Sequence, residues 1–225
     1  MQLQVLGVGG AFSPELGNSS FIFWDEKGGL LIDCGYTVYP LLKKKHLLNR
    51  INRLFITHVH GDHAGSLDTF LYHKRFILGQ KVSFYGIGSV MPYLTSIDPS
   101  FSFHNDASSY FNLNDDSNIT AVITKHTPGM NSFGVYYKGV LISGDTSESL
   151  LDTQEAFDAK IILHEVSFAE NNIHTYFNSL ARAKDEIKRK TWLYHYNTGE
   201  DISFEAKVRQ HGFAGFLKKD SIFNI

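Results

Sequence analysis

Four histidine and aspartate side chains fall within six consecutive positions of this chain, directly after an apolar segment predicted to be a strand. The segment reads Thr57-His58-Val59-His60-Gly61-Asp62-His63-Ala64-Gly65. In extended backbone His58 and His60 point the same way, because side chains alternate across a strand. Asp62 and His63 follow at a predicted helix start. One loop can therefore offer two nitrogen ligands to one ion and an oxygen–nitrogen pair to a second, which suits zinc, manganese or iron.

Three further ligand-type residues follow other predicted strands. His126 comes after a β-branched strand, Asp145 follows the strand at 141–143, and His195 ends the strand at 192–194. Strand ends of an α/β sheet gather its ligand-binding groups at one edge, so we expect these side chains to join the first motif. His126 is a natural third imidazole, and the Asp145 carboxylate can offer one oxygen to each of two ions.

Length and composition exclude several classes of protein. The chain has 225 residues, one cysteine and a net charge of −2. A single cysteine rules out a disulfide scaffold and favours a reducing compartment. No apolar run approaches the ~20 residues that span a bilayer, and the N-terminus lacks signal-peptide features. We therefore expect a cytoplasmic protein (in the host cytoplasm if a phage encodes it) with no membrane partner.

The hydrophobic pattern predicts a layered α/β protein. Hairpins begin each half, at 21–32 and at 135–143, and helix–strand units follow them. The longer predicted helices lie at 64–77 and 179–190, and a strand is predicted near 101–104. Nothing resembles a linker, so we expect one domain over residues 1–225.

The ordered set from His58 to His195 resembles the metallo-β-lactamase fold superfamily, and within it the phosphodiesterase branch that includes RNase Z. The resemblance covers the chain from Gly7 to His195 and implies a four-layer αββα sandwich with a dinuclear site at the sheet edge. It implies two divalent ions, with zinc as the default and manganese as the alternative. Their ligands would be His58, His60 and His126 for one ion, Asp62, His63 and His195 for the other, and Asp145 as the bridge.

The same resemblance assigns roles around the ions. Ile32-Asp33-Cys34-Gly35 resembles the family's loop behind the site, where Asp33 would orient a ligand and Cys34 would be a buried structural thiol. His164-Glu165-Val166-Ser167-Phe168 and His174-Thr175 are similar to two RNase Z segments. They imply that a metal-bridging hydroxide attacks phosphorus and that His174, supported by Glu165, is the general acid. Asp62, Glu165 and His174 are thus the predicted catalytic residues. The alternative is that Glu165 and His174 form a surface pair in an unrelated loop.

The chain departs from tRNA-processing RNase Z in one respect. Asp145 follows His126 by only 19 positions, which leaves no room for the arm that grips tRNA. The basic runs at 43–45 and 188–190 fall on predicted helices and are interpreted as solvated faces. This combination resembles the armless anti-Pycsar-type phosphodiesterases, which act as homodimers on 3′,5′-cyclic nucleotides. We therefore expect a small cyclic nucleotide as substrate rather than a large RNA, nucleoside monophosphates as products, and a homodimer.

Other functions stay open at this point. The chain could be an RNase Z-like endonuclease acting on tRNA 3′ ends, or a lactonase or thioesterase of the same fold. A binding module with vestigial chemistry is the non-enzyme alternative. Four aromatic residues offer either a wall for the base or a dimer loop, although core positions in strands are favoured for them: Phe101, Phe103, Tyr110 and Phe111.

Overall fold

The computed structural model describes residues 1–85, 90–102, 111–113 and 118–225, with backbone alone for 111–113. The chain forms two compact units. The first unit contains Met1–Gly7, Gly17–Asp116 and Lys219–Ile225, and the second contains Val8–Leu16 and Ser117–Lys218. The expectation of a single domain over 1–225 stays a prediction.

The first unit is built on a sheet of seven strands. The strands are β1 (Gln2–Gly7), β2 (Ser20–Asp25), β3 (Gly28–Ile32), β4 (Ile51–Phe55), β5 (Val82–Tyr85), β6 (Phe111–Leu113) and β13 (Ile222–Asn224). Their order in the sheet is β13-β1-β2-β3-β4-β5-β6. The pairs from β13 to β3 are antiparallel, and those from β3 to β6 are parallel. The helices are α1 (Val38–Lys44), α2 (Gly61–Ala64), α3 (Leu67–Tyr72) and α4 (Met91–Ile97).

Apolar strand residues bury one continuous core in this unit. Leu31 and Leu54 pair across the parallel β3–β4 ladder, and both are fully buried with Phe70 of α3. The predicted hairpin at 21–32 is confirmed as β2 and β3. Phe101 is also a fully buried core residue.

Two sequence predictions for this unit hold only in part or are overturned in part. The helix predicted at 64–77 is confirmed over 67–77, as α3 and the π-helical turn His73–Ile77, but it is separated from α2 by a break at 65–66. It breaks at Ser66, whose N–H donates to Cys34 O and whose hydroxyl donates to Gly35 O, both outside the helix. The strand near 101–104 is replaced at its start by a 3₁₀ turn, Pro99–Phe101, because the Asp98 side chain caps Ser100 N. Residues 103 and 104 lie outside the described residues.

The segment after β3 packs directly on α2. Cys34 N donates to His63 O over 2.7 Å, and Tyr36 N donates to Gly61 O over 3.3 Å. A Cβ at Gly35 would lie 1.9 Å from the backbone oxygen of Asp62, so only glycine fits there. Cys34 is fully buried, as expected of a structural thiol, and burial raises its pKa to about 12.

The second unit is built on a sheet of six strands. The strands are β7 (Ile119–Thr124), β8 (Ser132–Tyr137), β9 (Val140–Ile142), β10 (Ile161–Glu165), β11 (Thr191–Tyr194) and β12 (Gly215–Phe216). Their order in the sheet is β12-β11-β10-β9-β8-β7. The pairs from β7 to β9 are antiparallel, and those from β9 to β12 are parallel. The helices are α5 (Gln154–Asp158), α6 (Phe177–Leu180), α7 (Asp185–Lys188), α8 (Glu200–Ser203) and α9 (Glu205–Gln210).

Predictions for this unit hold in the strands and fail in one helix. The hairpin at 135–143 is confirmed as β8 and β9. The helix predicted over 179–190 is wrong, since α6 and α7 are separate. Ala183 N bonds to Leu180 O, three residues back, and this tight turn closes α6. No helix within the described residues is long and apolar enough to cross a membrane.

Replacing Gly35 tests the close approach to α2. We expect Gly35→Ala to lower the free energy of unfolding by about 3 kcal/mol, because the new methyl group meets backbone rather than a flexible side chain. Urea unfolding followed by circular dichroism measures it. Gly79→Ala is the control: Gly79 has φ 61°, and among the described residues, its two chain neighbours aside, no atom lies within 4 Å of the added carbon, so only about 1 kcal/mol of backbone strain is expected. Equal losses in the two variants would contradict the assignment.

Candidate metal and catalytic centre

The histidine-rich segment forms one cluster of donor atoms in the first unit. His58 and His60 follow β4, and the short helix α2 carries Asp62 and His63. The distance from His58 Nε2 to His60 Nδ1 is 3.0 Å, and that from His63 Nε2 to Asp62 Oδ2 is 3.4 Å. His58, Asp62 and His63 are buried, and His60 is half-buried. The four predicted ligands are therefore brought together locally.

Asp33 organises this cluster from behind. Its Oδ1 accepts Thr57 N over 2.7 Å, and its Oδ2 accepts both the Thr57 hydroxyl (2.8 Å) and His63 Nδ1–H (2.7 Å). Burial raises the pKa of Asp33, while His63 and the bonds from Thr57 oppose that rise. The contact predicted for Asp33 is present: it engages Nδ1 of His63 and leaves Nε2 as the donor atom.

Thr57 was not singled out by the sequence patterns, yet it holds a second imidazole. Its hydroxyl proton goes to Asp33, so its oxygen accepts from His58 Nδ1, 3.1 Å away. His58 is thereby left with Nε2 as its donor atom. The signal in the sequence was only a hydroxyl residue directly before the first histidine.

The second unit gathers the other candidates at its strand ends. His126 follows β7, Asp145 follows β9, Glu165 ends β10 and His195 follows β11. Asp145 Oδ2 lies 3.7 Å from His126 Nε2 and 3.4 Å from His195 Nε2. His126 Nδ1 donates to the backbone oxygen of Ile173 over 2.7 Å, which again leaves Nε2 as the donor atom.

Among the described residues of this unit, two overlapping groups have donor atoms close enough together to hold a metal ion. Their donor atoms lie within 4.8 Å of one another. The groups are His126, Asp145 and His174, and Glu165, His174 and His195. The histidine and carboxylate donors therefore suit a divalent ion.

Glu165 is a fully buried carboxylate that ties two loops together. Its Oε1 accepts Thr146 N over 3.1 Å and Thr175 N over 2.9 Å. Its Oε2 lies 3.4 Å from His174 Nδ1 and accepts no hydrogen bond within the part of the chain that the structure describes. The carboxylate is therefore directed at His174, which argues against an unrelated surface pair.

The loop that presents His174 is held by Asn171. Asn171 Oδ1 accepts the backbone N–H of Ile173 over 3.0 Å and that of His174 over 2.7 Å. The His174 ring lies 5.2 Å from the His126 ring and 5.1 Å from the His195 ring. Its side chain stays 24% exposed, which suits a group that exchanges protons with a ligand. Asn171 carried no signal in the sequence.

His164, next to Glu165, is a structural histidine. Its Nδ1 donates to Glu165 O over 2.7 Å, and its Nε2 accepts Leu150 N over 3.0 Å. Burial lowers its pKa, so the neutral ring braces β10 against the loop that follows Asp145.

The predicted aromatic wall receives no support from Phe101, because that side chain is buried in the core of the first unit. Phe103 and Tyr110 lie outside the described residues, and the side chain of Phe111 does too.

Sequence comparison places the chain in a family. The family model described as "Anti-Pycsar protein Apyc1" matches residues 1–95 and 93–223. The anti-Pycsar protein Apyc1 of Paenibacillus sp. (strain J14) is 27% identical over 250 residues, covering 100% of this chain and 99% of that protein. The one from Bacillus phage BSP38 is 38% identical over 80 residues, covering 35% of this chain and 31% of that protein.

Solved structures show the same fold at low sequence identity. YhfI from Bacillus subtilis, a metallo-β-lactamase fold protein, matches with a TM-score of 0.76 at 16% identity, over 99% of this chain and 98% of its own. The short form of human tRNase Z matches with 0.72 at 21%, over 100% and 99%. Zn²⁺-bound PqqB from Methylobacterium extorquens matches with 0.68 at 13%, over 100% of each chain. The predicted metallo-β-lactamase fold is confirmed, and the chain belongs to the anti-Pycsar Apyc1 family.

Proposed function

We propose that this chain hydrolyses 3′,5′-cyclic nucleotides to nucleoside monophosphates with the help of two divalent ions. Family membership and the donor clusters support the broader class, a metal-dependent phosphodiesterase. The observation that carries the finer proposal is the buried Glu165 carboxylate, whose Oε2 lies 3.4 Å from His174 Nδ1, with Asp145 Oδ2 3.9 Å from the same nitrogen. Opening a cyclic phosphodiester needs a proton donor for the leaving ribose oxygen, and this pair is built to supply one.

The donor atoms fit divalent ions. In three of the histidines Nδ1 already has a hydrogen-bond partner. The partner is a hydroxyl for His58, a carboxylate for His63 and a backbone carbonyl for His126. This is the environment that metal-ligating histidines usually have, with Nε2 left for the ion. In the proposal His58, His60 and His126 hold one ion, Asp62, His63 and His195 hold the other, and Asp145 bridges them.

Zinc is the default for such histidine-rich sites, and manganese is the alternative. Bound ions would offset the phosphate charge and lower the pKa of the attacking water. Because Asp62 would be both ligand and catalytic residue, its loss should abolish turnover.

The chain's own groups handle the proton. Glu165 Oε2 faces His174 Nδ1, which stabilises the protonated imidazole and leaves Nε2 to donate. The attacking water first loses one proton to the solvent. As the resulting hydroxide oxygen bonds to phosphorus and the P–O3′ bond breaks, the His174 Nε2 proton passes to O3′. Glu165 keeps its place through the N–H groups of Thr146 and Thr175.

The structure favours a small substrate over a large RNA. The β8–β9 hairpin occupies the chain between His126 and Asp145, where an arm would be inserted. In the basic run at 188–190, Lys188 pairs with Asp185 at 2.9 Å, and Lys190 donates to the backbone oxygens of Phe157 and Ala159. These two lysines make contacts within the protein. Binding of a large RNA requires many cationic side chains that contact its phosphates, and this run supplies few of them. A homodimer stays a prediction.

The direct test is a substrate panel with purified protein and added Zn²⁺ or Mn²⁺. We expect hydrolysis of cyclic AMP, GMP, CMP or UMP to the nucleoside monophosphate, followed by chromatography, and none of a 3′-extended tRNA precursor. Asp62→Asn is the inactive control. If metal is bound and none of the four is hydrolysed, the cyclic-nucleotide proposal fails. Cleavage of the tRNA precursor at its 3′ extension would support the endonuclease alternative.

Removing the proton donor should matter most for a poor leaving group. His174→Ala should lower kcat for the cyclic nucleotide by about 100- to 10,000-fold. The loss should be far smaller with bis(p-nitrophenyl) phosphate, because nitrophenolate leaves without a proton. His46→Asn, at an exposed histidine with φ 55°, is the matched control and should behave like the wild type.

Glu165→Gln separates the charge of Glu165 from its scaffold role, since the amide oxygen can still accept the two N–H groups. If Glu165 acts through His174, the double variant Glu165→Gln/His174→Ala should be no slower than His174→Ala alone.

For the His174→Ala variant, an equal loss of kcat on the cyclic nucleotide and on bis(p-nitrophenyl) phosphate would contradict a proton-donor role.

Asp33→Asn tests the support of the metal ligands. Asn tolerates the positive φ of 63° at this position, but its amide cannot replace the carboxylate that holds His63. We expect metal affinity to fall about 10- to 100-fold. Competition with a chromophoric chelator measures it, and elemental analysis should give two ions per wild-type chain. Unchanged affinity in Asp33→Asn would remove Asp33 from the site.

A further inference from the structure

The most exposed aromatic side chain that the structure describes belongs to Phe12, at 93%. We propose that Phe12 is the platform on which the base of the bound nucleotide stacks, an inference that rests on the proposed function. In this role Phe12 is a specificity residue, which contacts the base and takes no part in the chemistry at phosphorus.

Phe12 belongs to a turn that touches a candidate metal ligand. Ser13 N donates to Gly10 O over 3.2 Å, which closes the turn around Phe12. A Cβ added at Gly10 would lie 3.2 Å from Cε1 of the His195 imidazole, so the backbone of this turn packs on that ring. Two residues of chain span at most about 7 Å, so Phe12 stays within a nucleotide's length of His195.

Both sides of the turn are fixed to the segment that follows β11. On the near side His195 N donates to Val8 O over 2.7 Å, and Gly9 pairs with Tyr196. On the far side Ser13 Oγ accepts Thr198 N over 3.1 Å. The Thr198 hydroxyl also donates to Glu15. The turn is therefore held in place while the ring at its tip is left in water.

Other exposed aromatic residues have local explanations. Phe76, 63% exposed, stacks on Tyr72 with 6.2 Å between ring centroids. Tyr36, 65% exposed, lies over Gly61, where an added Cβ would approach its hydroxyl to 2.2 Å. Phe12 has no such contact among the aromatic pairs of the described residues, and a flat apolar ring on a fixed support is what a base stacks on.

Stacking predicts a change in binding rather than in chemistry. Replacing an aromatic platform by alanine weakens nucleotide binding by about 10-fold, within the range for single base–aromatic contacts. A larger aromatic ring at the same place should preserve the contact. A ligand that carries the cyclic phosphate but no base should not sense the change.

The experiment measures binding to the metal-loaded protein by titration calorimetry. The probes are adenosine 3′,5′-cyclic phosphorothioate, which resists hydrolysis, and the base-free 1-O-methylribose 3′,5′-cyclic phosphate. For Phe12→Ala we expect a Kd about 10-fold higher for the first probe and unchanged for the second. Phe12→Trp should bind both like the wild type, and so should Phe76→Ala, the control at another exposed ring.

Kinetics and stability complete the test. With cyclic AMP, Phe12→Ala should raise KM while kcat stays at the wild-type value, and its thermal midpoint should not fall. Wild-type affinity of Phe12→Ala for the phosphorothioate, or equal weakening for both probes, would overturn the inference. If the wild type binds the phosphorothioate but hydrolyses none of the four cyclic nucleotides, the proposed function fails and the stacking result still stands. If it binds neither probe, both are overturned.

Discussion

The arrangement of the first donor cluster depends on one buried carboxylate. Asp33 accepts three hydrogen bonds, two from Thr57 and one from His63, and so joins the end of β3 to the end of β4 and to α2. These bonds fix the rotation of the His63 ring and, through Thr57, that of His58. Water could not replace them at a residue that is 2% exposed.

In the second unit Glu165 fixes the position of an imidazole in a comparable way. One of its oxygens binds two backbone N–H groups of separate loops, and the other is directed at His174. In both units a buried acid is first satisfied by the scaffold and then orients an imidazole. A carboxylate placed this way fixes the orientation of the neighbouring ring, which is how acids behind histidine ligands usually act.

The local part of this site could be predicted from the sequence, and the long-range part could not. Candidate ligands at strand ends follow from short patterns, which is why the sequence singles out His58 to His63, His126, Asp145 and His195; that they bind metal stays a prediction. The helix prediction over 64–77 missed the break at 65–66, because Ser66 bonds to Gly35, 31 residues earlier, and periodicity contains no such information. Asn171 was missed for a related reason: the hydrogen bonds by which it holds the loop before His174 are defined only by the folded chain.

The path of residues 2–8 sets an order of assembly. Gln2 of β1 pairs with Asn224 of β13, and Val8 accepts a hydrogen bond from His195 N. During synthesis residues 2–8 must therefore wait for partners that are made about 190 to 220 residues later, and the first sheet cannot reach its final form before β13 is made. Closing such long loops slows folding, so the nascent protein spends its synthesis without a finished centre.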